Sequence, residues 1–318
     1  FIPDTDELEG KEDIAEKFVV EYLHNSEKVA ERMKDIVQYY SDDPRKKEEE
    51  IKKFWNQYLN RGKEREQALH QHQENVYYRS IGEMGGGDSW YIKNKGARYI
   101  GGVIDTGGEG DDECYKKYFM DYALRLIESL SPEKREEYWR EFNDCFERIG
   151  RNSEGQVNSF ASFVRAEVEE SEQGRTADIS IFGDAGVIIY NPREKTVRAC
   201  NMIQTVEGDK KDIPGLEEMD LPSNPPLGII PSEAMGDISS SQLELKEEEK
   251  MMLFSDGIVQ ANRGADPGNT VLEKIREYTQ GDTEKELKEL LFEFLGDSQL
   301  SDDTTLLNLE LDDTHVSS

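Results

Sequence analysis

Short apolar runs, each too brief for a helix and mostly set off by turn residues, recur through the chain after residue 85 and constrain its fold most. They fall at residues 90–92, 98–104, 179–182, 187–190, 196–202, 251–254 and 304–311. β-branched and aromatic residues bounded by turn formers predict strands. The first two pair across the turn at residues 93–96. The turns Gly183-Asp184-Ala185-Gly186 and Asn191-Pro192-Arg193 predict an antiparallel meander for the next three. Between these bursts lie blocks of helical periodicity. The first, residues 11–40, carries Ile14, Phe18, Tyr22, Val29, Met33, Ile36, Val37 and Tyr40 at helical spacing. A second opens at Asp43-Pro44 and shows Ile51, Phe54, Trp55, Tyr58 and Leu59 on one face before Gly62. Further helices are predicted at 115–130, 132–149, 155–169, 270–279 and 284–295. Strands in bursts with helical blocks between them indicate an α+β fold rather than a regular β-α-β alternation.

The 318 residues fit one large domain or a domain with an appendage, and 35 % hydrophobic content supplies a real core. A formal charge of -30, from 69 acids and 39 bases, excludes a nucleic-acid partner, because a phosphate backbone repels such a surface. Solubility is the simplest reading of the excess acid, and a divalent-cation requirement also suits it. Cys114, Cys145 and Cys200 are odd in number and far apart, so neither a disulfide framework nor a thiolate metal site is expected. No run approaches the roughly 20 apolar residues of a membrane span, and no signal peptide is visible. A cytoplasmic setting follows. The chain starts at Phe1 rather than Met, so an excised piece is expected, the cytoplasmic part of a larger protein with a sensor or membrane segment ahead of it.

Four acids stand where a strand meets a turn. Asp88 follows Gly85-Gly86-Gly87 and precedes a strand. Asp105 follows Val103-Ile104 and opens Asp105-Thr106-Gly107-Gly108-Glu109-Gly110. Asp256 ends residues 251–255 and precedes Gly257, and Asp302-Asp303 lead into Thr304-Thr305-Leu306. Strand ends gathered on one rim of a sheet present carboxylates to a single point. Oxygen-only ligands select hard cations such as Mg²⁺ or Mn²⁺, and two such ions clamp a phosphoryl group and activate a water. Each motif alone is weak, since Asp-Gly after a strand is ordinarily a turn. Their joint order carries the reading. His70 and His72, two apart on a helix, point in different directions, and His24 and His315 are isolated. Ser255 has no histidine beside it in sequence and reads as a turn residue. The 105–110 run lacks the Gly-Lys-Ser/Thr ending of a nucleotide loop.

Taken together, Gly87-Asp88-Ser89, Gly96-Ala97-Arg98-Tyr99, residues 105–110, Pro226-Leu227-Gly228-Ile229, Phe254-Ser255-Asp256-Gly257-Ile258-Val259 and Asp302-Asp303-Thr304-Thr305-Leu306 resemble the PPM, or protein phosphatase 2C-like, superfamily. The nearest branch is the bacterial SpoIIE-like serine phosphatases, and the resemblance runs over residues 85–312. It implies a four-layer α/β/β/α sandwich of two antiparallel sheets flanked by helices, here with an N-terminal helical extension. Residues 1–80 would then be a regulatory or dimerising segment and 81–313 the phosphatase domain. Carried over by position, Asp88, Asp256 and Asp302 hold a first cation, Asp105 bridges both, and the Thr106 carbonyl holds the second. Asp303 is the lesser of its pair. The implied chemistry is hydrolysis of phosphoserine or phosphothreonine by a water activated at two Mn²⁺ or Mg²⁺ ions, with no phosphoenzyme. The implied substrate is a phosphorylated signalling protein of the anti-sigma-factor antagonist kind, and the implied assembly is a homodimer through the N-terminal helices. Thr106 and Glu109 depart from the superfamily pattern, where a small residue and a Lys, His or Asn are common. With Asp111-Asp112-Glu113, Glu109 adds negative charge beside a phosphate site. A catalytically silent binding or signalling module on the same fold is the alternative, and tight Mn²⁺ binding discriminates the two.

Overall fold

The computed structural model describes residues 11–39, 46, 50, 53, 75–79, 87–94, 98–108, 113–150, 159–171, 174–202, 213–262 and 269–309. Its strands are β1 (Val76–Arg79), β2 (Ser89–Asn94), β3 (Arg98–Gly108), β4 (Ser159–Ser171), β5 (Gly174–Phe182) and β6 (Gly186–Asn191). They continue with β7 (Thr196–Cys200), β8 (Leu216–Glu218), β9 (Ser223–Asn224), β10 (Ser241–Leu245), β11 (Lys250–Phe254) and β12 (Thr304–Leu309). The helices are α1 (Glu12–Tyr39), α2 (Glu113–Ile127), α3 (Pro132–Gly150), α4 (Gly257–Gln260), α5 (Val271–Thr279) and α6 (Leu287–Asp297). The helix expected after Asp43, Glu109 and His70, His72 and His315 lie essentially outside the described residues.

Two sheets face each other. One runs β1-β12-β11-β6-β7-β8, and the other β10-β5-β4-β3-β2 with β9 beside β5. Period-two alternation along each strand builds three apolar layers. On β11, Met251 and Leu253 point between the sheets, where they meet Val103 and Val164 of the other sheet, while Met252 and Phe254 turn outward under α5 and α6. On β3, Val103 faces inward and Ile100 and Ile104 face α1, α2 and α3. The result is the four-layer sandwich. Its sheets are antiparallel except where β8 joins β7 and β9 joins β5, both parallel. Those two short strands come from the proline-bearing 213–240 stretch, which returns along each edge after a long excursion.

Three expectations need correction. Residues 155–169 do not form a helix: residues 159–171 are β4, paired with both β3 and β5 at the centre of its sheet. Ala, Glu and Arg favour a helix by propensity, but burial on both faces decides otherwise. Phe163 goes to the helix side, and Val164, Ala166 and Val168 go between the sheets. The turn at residues 183–186 is not part of a meander, because it carries the chain from β5 in one sheet to β6 in the other. The buried stripe of α1 runs through Ala15, Val19, Tyr22 and Leu23, while Ile14 is 45 % exposed. Near the end of the 1–80 segment, Val76–Arg79 form β1 and pair with β12. Among the described residues no helix is long and apolar enough to cross a membrane, and Cys145 and Cys200 are buried free thiols.

Charge is buried in the layer between the helices and the β4 sheet. Arg165 on β4 donates through Nε to Glu128 at 2.5 Å and also bonds Glu167. Arg135 on α3 reaches both Glu128 and Glu167 at 3.1 Å. Burial raises the pKa of either glutamate, but Arg165 and Arg135 outweigh it. Glu128 ends below the usual carboxylate range and Glu167 at about 2.

Candidate active site

Each sheet sends two aspartates to the same end of the sandwich. Asp88 enters β2 and Asp105 lies near the end of β3, and the pairing of Ser89 with Ile104 sets them side by side. Asp256 follows β11 and Asp302 precedes β12. The pairing of Phe254 with Leu306, continued by the Ser255 N–H to the Thr305 carbonyl at 3.1 Å, brings these loops together.

Two glycines allow the approach. A Cβ on Gly87 would lie 2.3 Å from the Thr106 carbonyl oxygen, and one on Gly257 would lie 2.0 Å from that of Asp303. No side chain fits at either distance, so the motif glycines are steric requirements of the site.

The carboxylates feel one another across the sheets. Asp105, half-buried overall, has its pKa pushed well above the ordinary range. Burial is the first cause, followed by the charges of Asp88, Asp256 and Asp302 and the close approach of the Asp256 carboxyl. Asp302 is raised to about 6, again by burial first and then by Asp256, while the Asp303 N–H works in the opposite direction. Asp184, in the turn that crosses from β5 to β6, adds to the charge felt by Asp302. It is anchored by the Ser162 hydroxyl at 2.5 Å, and Ser162 faces Asp105 across the β3–β4 ladder.

All four expected aspartates therefore converge, and Thr106 stands beside them with its N–H bonded to the Gly87 carbonyl at 3.3 Å. Among the described residues, no three acidic, histidine or cysteine side chains already close around a cation position. Several of the carboxylates instead take hydrogen bonds: Asp88 from Ser255 at 2.6 Å and Asp256 from Gln260. The donor set nevertheless fits a hard divalent ion. It is oxygen-only, multiply acidic, and electrostatically strained in a way positive charge relieves. Thr106 Oγ1 is also buried without a hydrogen-bond partner among the described residues.

Sequence reasoning missed Asp184, Ser162 and Gln260 and read Ser255 as a turn residue. Asp184 and Ser162 are distant in sequence and join only because β5 leaves its sheet after residue 182. No local pattern announces that. Gln260 was within reach, four residues after Asp256 on one helical turn.

The PP2C phosphatase domain of the cell fate determinant SpoIIE from Bacillus subtilis, solved with a fragment of its regulatory domain, shares this fold. Its TM-score is 0.50 at 18 % identity, covering 74 % of this chain and 62 % of that one. The RsbU and RsbW domains of a Mycobacterium tuberculosis protein give 0.49 at 16 %, covering 74 % and 59 %. The catalytic domain of the serine/threonine phosphatase PstP, solved with two manganese ions, gives 0.42 at 14 %, covering 73 % and 95 %. The likeness to the first of these gives the fold as that of a PP2C-type phosphatase domain, and the chain spans about three fifths of the length of the first two of these structures. A sequence model of the Stage II sporulation protein E family matches residues 136–312, more than half of the chain. The chain belongs to that family. The match includes Asp256 and Asp302, while Asp88 and Asp105 precede it. No curated protein matches the chain.

Proposed function

We propose that this protein is a divalent-cation-dependent serine/threonine protein phosphatase. One observation carries the reading: Asp88 and Asp105 from one sheet and Asp256 and Asp302 from the other share a single electrostatic neighbourhood. Asp88, Asp256 and Asp302 would hold one Mn²⁺ or Mg²⁺, and Asp105 and the Thr106 carbonyl would extend the set to a second. When bound, such ions supply Lewis acidity and a nucleophilic water at neutral pH. The chain does the rest. Its carboxylates hold positive charge against an incoming phosphate, Gly87 and Gly257 let the loops close up, and the apolar layer between the sheets keeps solvent from behind the site. The acidic surface favours a substrate whose phosphoserine or phosphothreonine is flanked by basic or neutral residues.

The substrate we propose is a phosphorylated signalling protein of the anti-sigma-factor antagonist kind, with residues 81–313 as the body of the phosphatase domain and β1 (Val76–Arg79) completing one of its sheets. Residues 1–80 we propose as a regulatory or dimerising segment. The packing of α1 against α2 and α3 through Val19 and Tyr22 supports this, since it gives the segment a mechanical route to the sandwich. Tyr22→Ala should change oligomeric state or basal rate, and a variant unchanged in both refutes a regulatory α1.

With Mn²⁺, the purified protein should hydrolyse para-nitrophenyl phosphate and a phosphoserine peptide, and EDTA should stop both reactions. Hydrolysis indifferent to EDTA contradicts the reading. A catalytically silent module is the second reading, favoured by Glu109 and Asp111-Asp112-Glu113, whose negative charge opposes a phosphate substrate. Calorimetry that finds no Mn²⁺ binding selects it.

A further inference from the structure

Asp88 enters a strand of one sheet, yet its carboxylate is held from the other. Ser255, fully buried beyond β11, donates its hydroxyl to Asp88 Oδ2 at 2.6 Å. The same hydroxyl oxygen accepts the Thr305 N–H at 2.9 Å. A serine hydroxyl has one proton to give. With Thr305 supplying a donor to the oxygen, that proton goes to Asp88, so the pocket is built to meet an acceptor there.

A second tie crosses between the same two sheets. Asp303, 7 % exposed, accepts the Gly87 N–H at 2.6 Å, and its own backbone N–H donates to Asp302 Oδ1 at 2.8 Å. Gly87 is the neighbour of Asp88, and Asp303 the neighbour of Asp302. Each bond therefore fixes a residue in, or next to, the carboxylate cluster. Holding one oxygen of a carboxylate sets the direction in which the other can point.

We infer that Ser255 and Asp303 are positioning residues, a cross-sheet latch that sets Asp88 and Asp302 in the geometry that receives a divalent cation. The inference rests on the phosphatase reading for the identity of that cation. It explains why a fully buried hydroxyl and a nearly buried second acid stand beside the cluster without adding to its ligands. It also makes cation affinity depend on how the two sheets sit against each other. Outer partners of metal-binding carboxylates commonly change affinity by about 10–100-fold when removed.

The test is calorimetric titration of Mn²⁺ into wild type, Ser255→Ala, Asp303→Ala and Asp303→Asn, with the melting temperature of each cation-free protein measured alongside. Ser255→Ala and Asp303→Ala should bind Mn²⁺ about 10–100-fold more weakly. Asp303→Asn keeps an acceptor oxygen for Gly87 and should recover most of the affinity. In Ser255→Ala the Mn²⁺ concentration for half-maximal hydrolysis should rise by the same factor as the dissociation constant, with kcat recovering at saturating Mn²⁺. A purely structural role would lower the cation-free melting temperature with Mn²⁺ affinity unmoved, and that result overturns the latch. Should Ser255→Ala fail to fold, the Asp303 pair decides: equal affinity in Asp303→Ala and Asp303→Asn overturns it. Wild type that binds no Mn²⁺ refutes the site itself, whereas tight wild-type binding left intact in every variant refutes the latch alone.

Discussion

Asp105 on β3 and Asp256 beyond β11 belong to opposite sheets, yet they stand close enough that Asp256 helps push the Asp105 pKa well above the ordinary carboxylate range. Crowded carboxylates are a cost that a binding site bears for function.

Asp105→Asn should therefore separate stability from activity. It removes one charge from the cluster, so the cation-free protein should gain on the order of 1 kcal/mol and melt a few degrees higher. Hydrolysis with Mn²⁺ should fall at least about 100-fold, the scale of losing an electrostatic group at the reacting centre. A variant that melts lower without cation and hydrolyses at the wild-type rate contradicts both halves.

The buried pair of Arg165 and Glu128 gives a second expectation. Arg165→Met leaves Glu128 and Glu167 short of their main counter-charge and should cost about 3–5 kcal/mol in urea denaturation. Adding Glu128→Gln should return part of that loss, because the neutral amide no longer needs a cation. A double variant as unstable as the sum of the two single ones contradicts coupling between them.

Glu167 sets the pH dependence of that layer. Its pKa is about 2 when folded, against an ordinary 4.5. A depressed folded value means its contribution is complete above pH 4.5 and is lost as pH falls through 2. With 1.36 kcal/mol per unit, the contribution is at most about 3 kcal/mol. Wild type should lose stability across that window, while Glu167→Gln, already weaker at neutral pH, should show a flatter profile and converge with wild type near pH 2. Parallel curves for the two proteins would rule this out.

Gly257→Ala tests the close approach at the site. The added Cβ would meet the Asp303 carbonyl at 2.0 Å, and relief requires backbone movement costing about 1–3 kcal/mol. Thermal melting and Mn²⁺ titration should both register it. Unchanged values would mean the loop yields freely.

Much of this was legible from residue patterns. The strands at 90–92, 98–104, 187–190, 251–254 and 304–311 announce themselves by apolar content between turns, the last described to Leu309, and the four aspartates by their place at strand ends. What failed was whatever depends on partners distant in sequence. β4 reads as helix because Arg165, Ala166, Glu167 and Glu169 are good helix formers, and the partners that make Arg165 and Glu167 tolerable inside are Glu128, just past α2, and Arg135 of α3. Ile14 completes an apolar stripe on paper, but α2 and α3 meet α1 through Ala15 and Val19 instead. Ser255 shows its role only once β12 supplies the Thr305 N–H and the other sheet supplies Asp88.

Crystals soaked in Mn²⁺ and measured for anomalous scattering at the manganese edge address the central claim most directly. Two peaks should appear among the carboxylates of Asp88, Asp105, Asp256 and Asp302, with Asp105 touching both. A cation-saturated crystal with no peak at that end of the sandwich, or with peaks only elsewhere on the acidic surface, would contradict it.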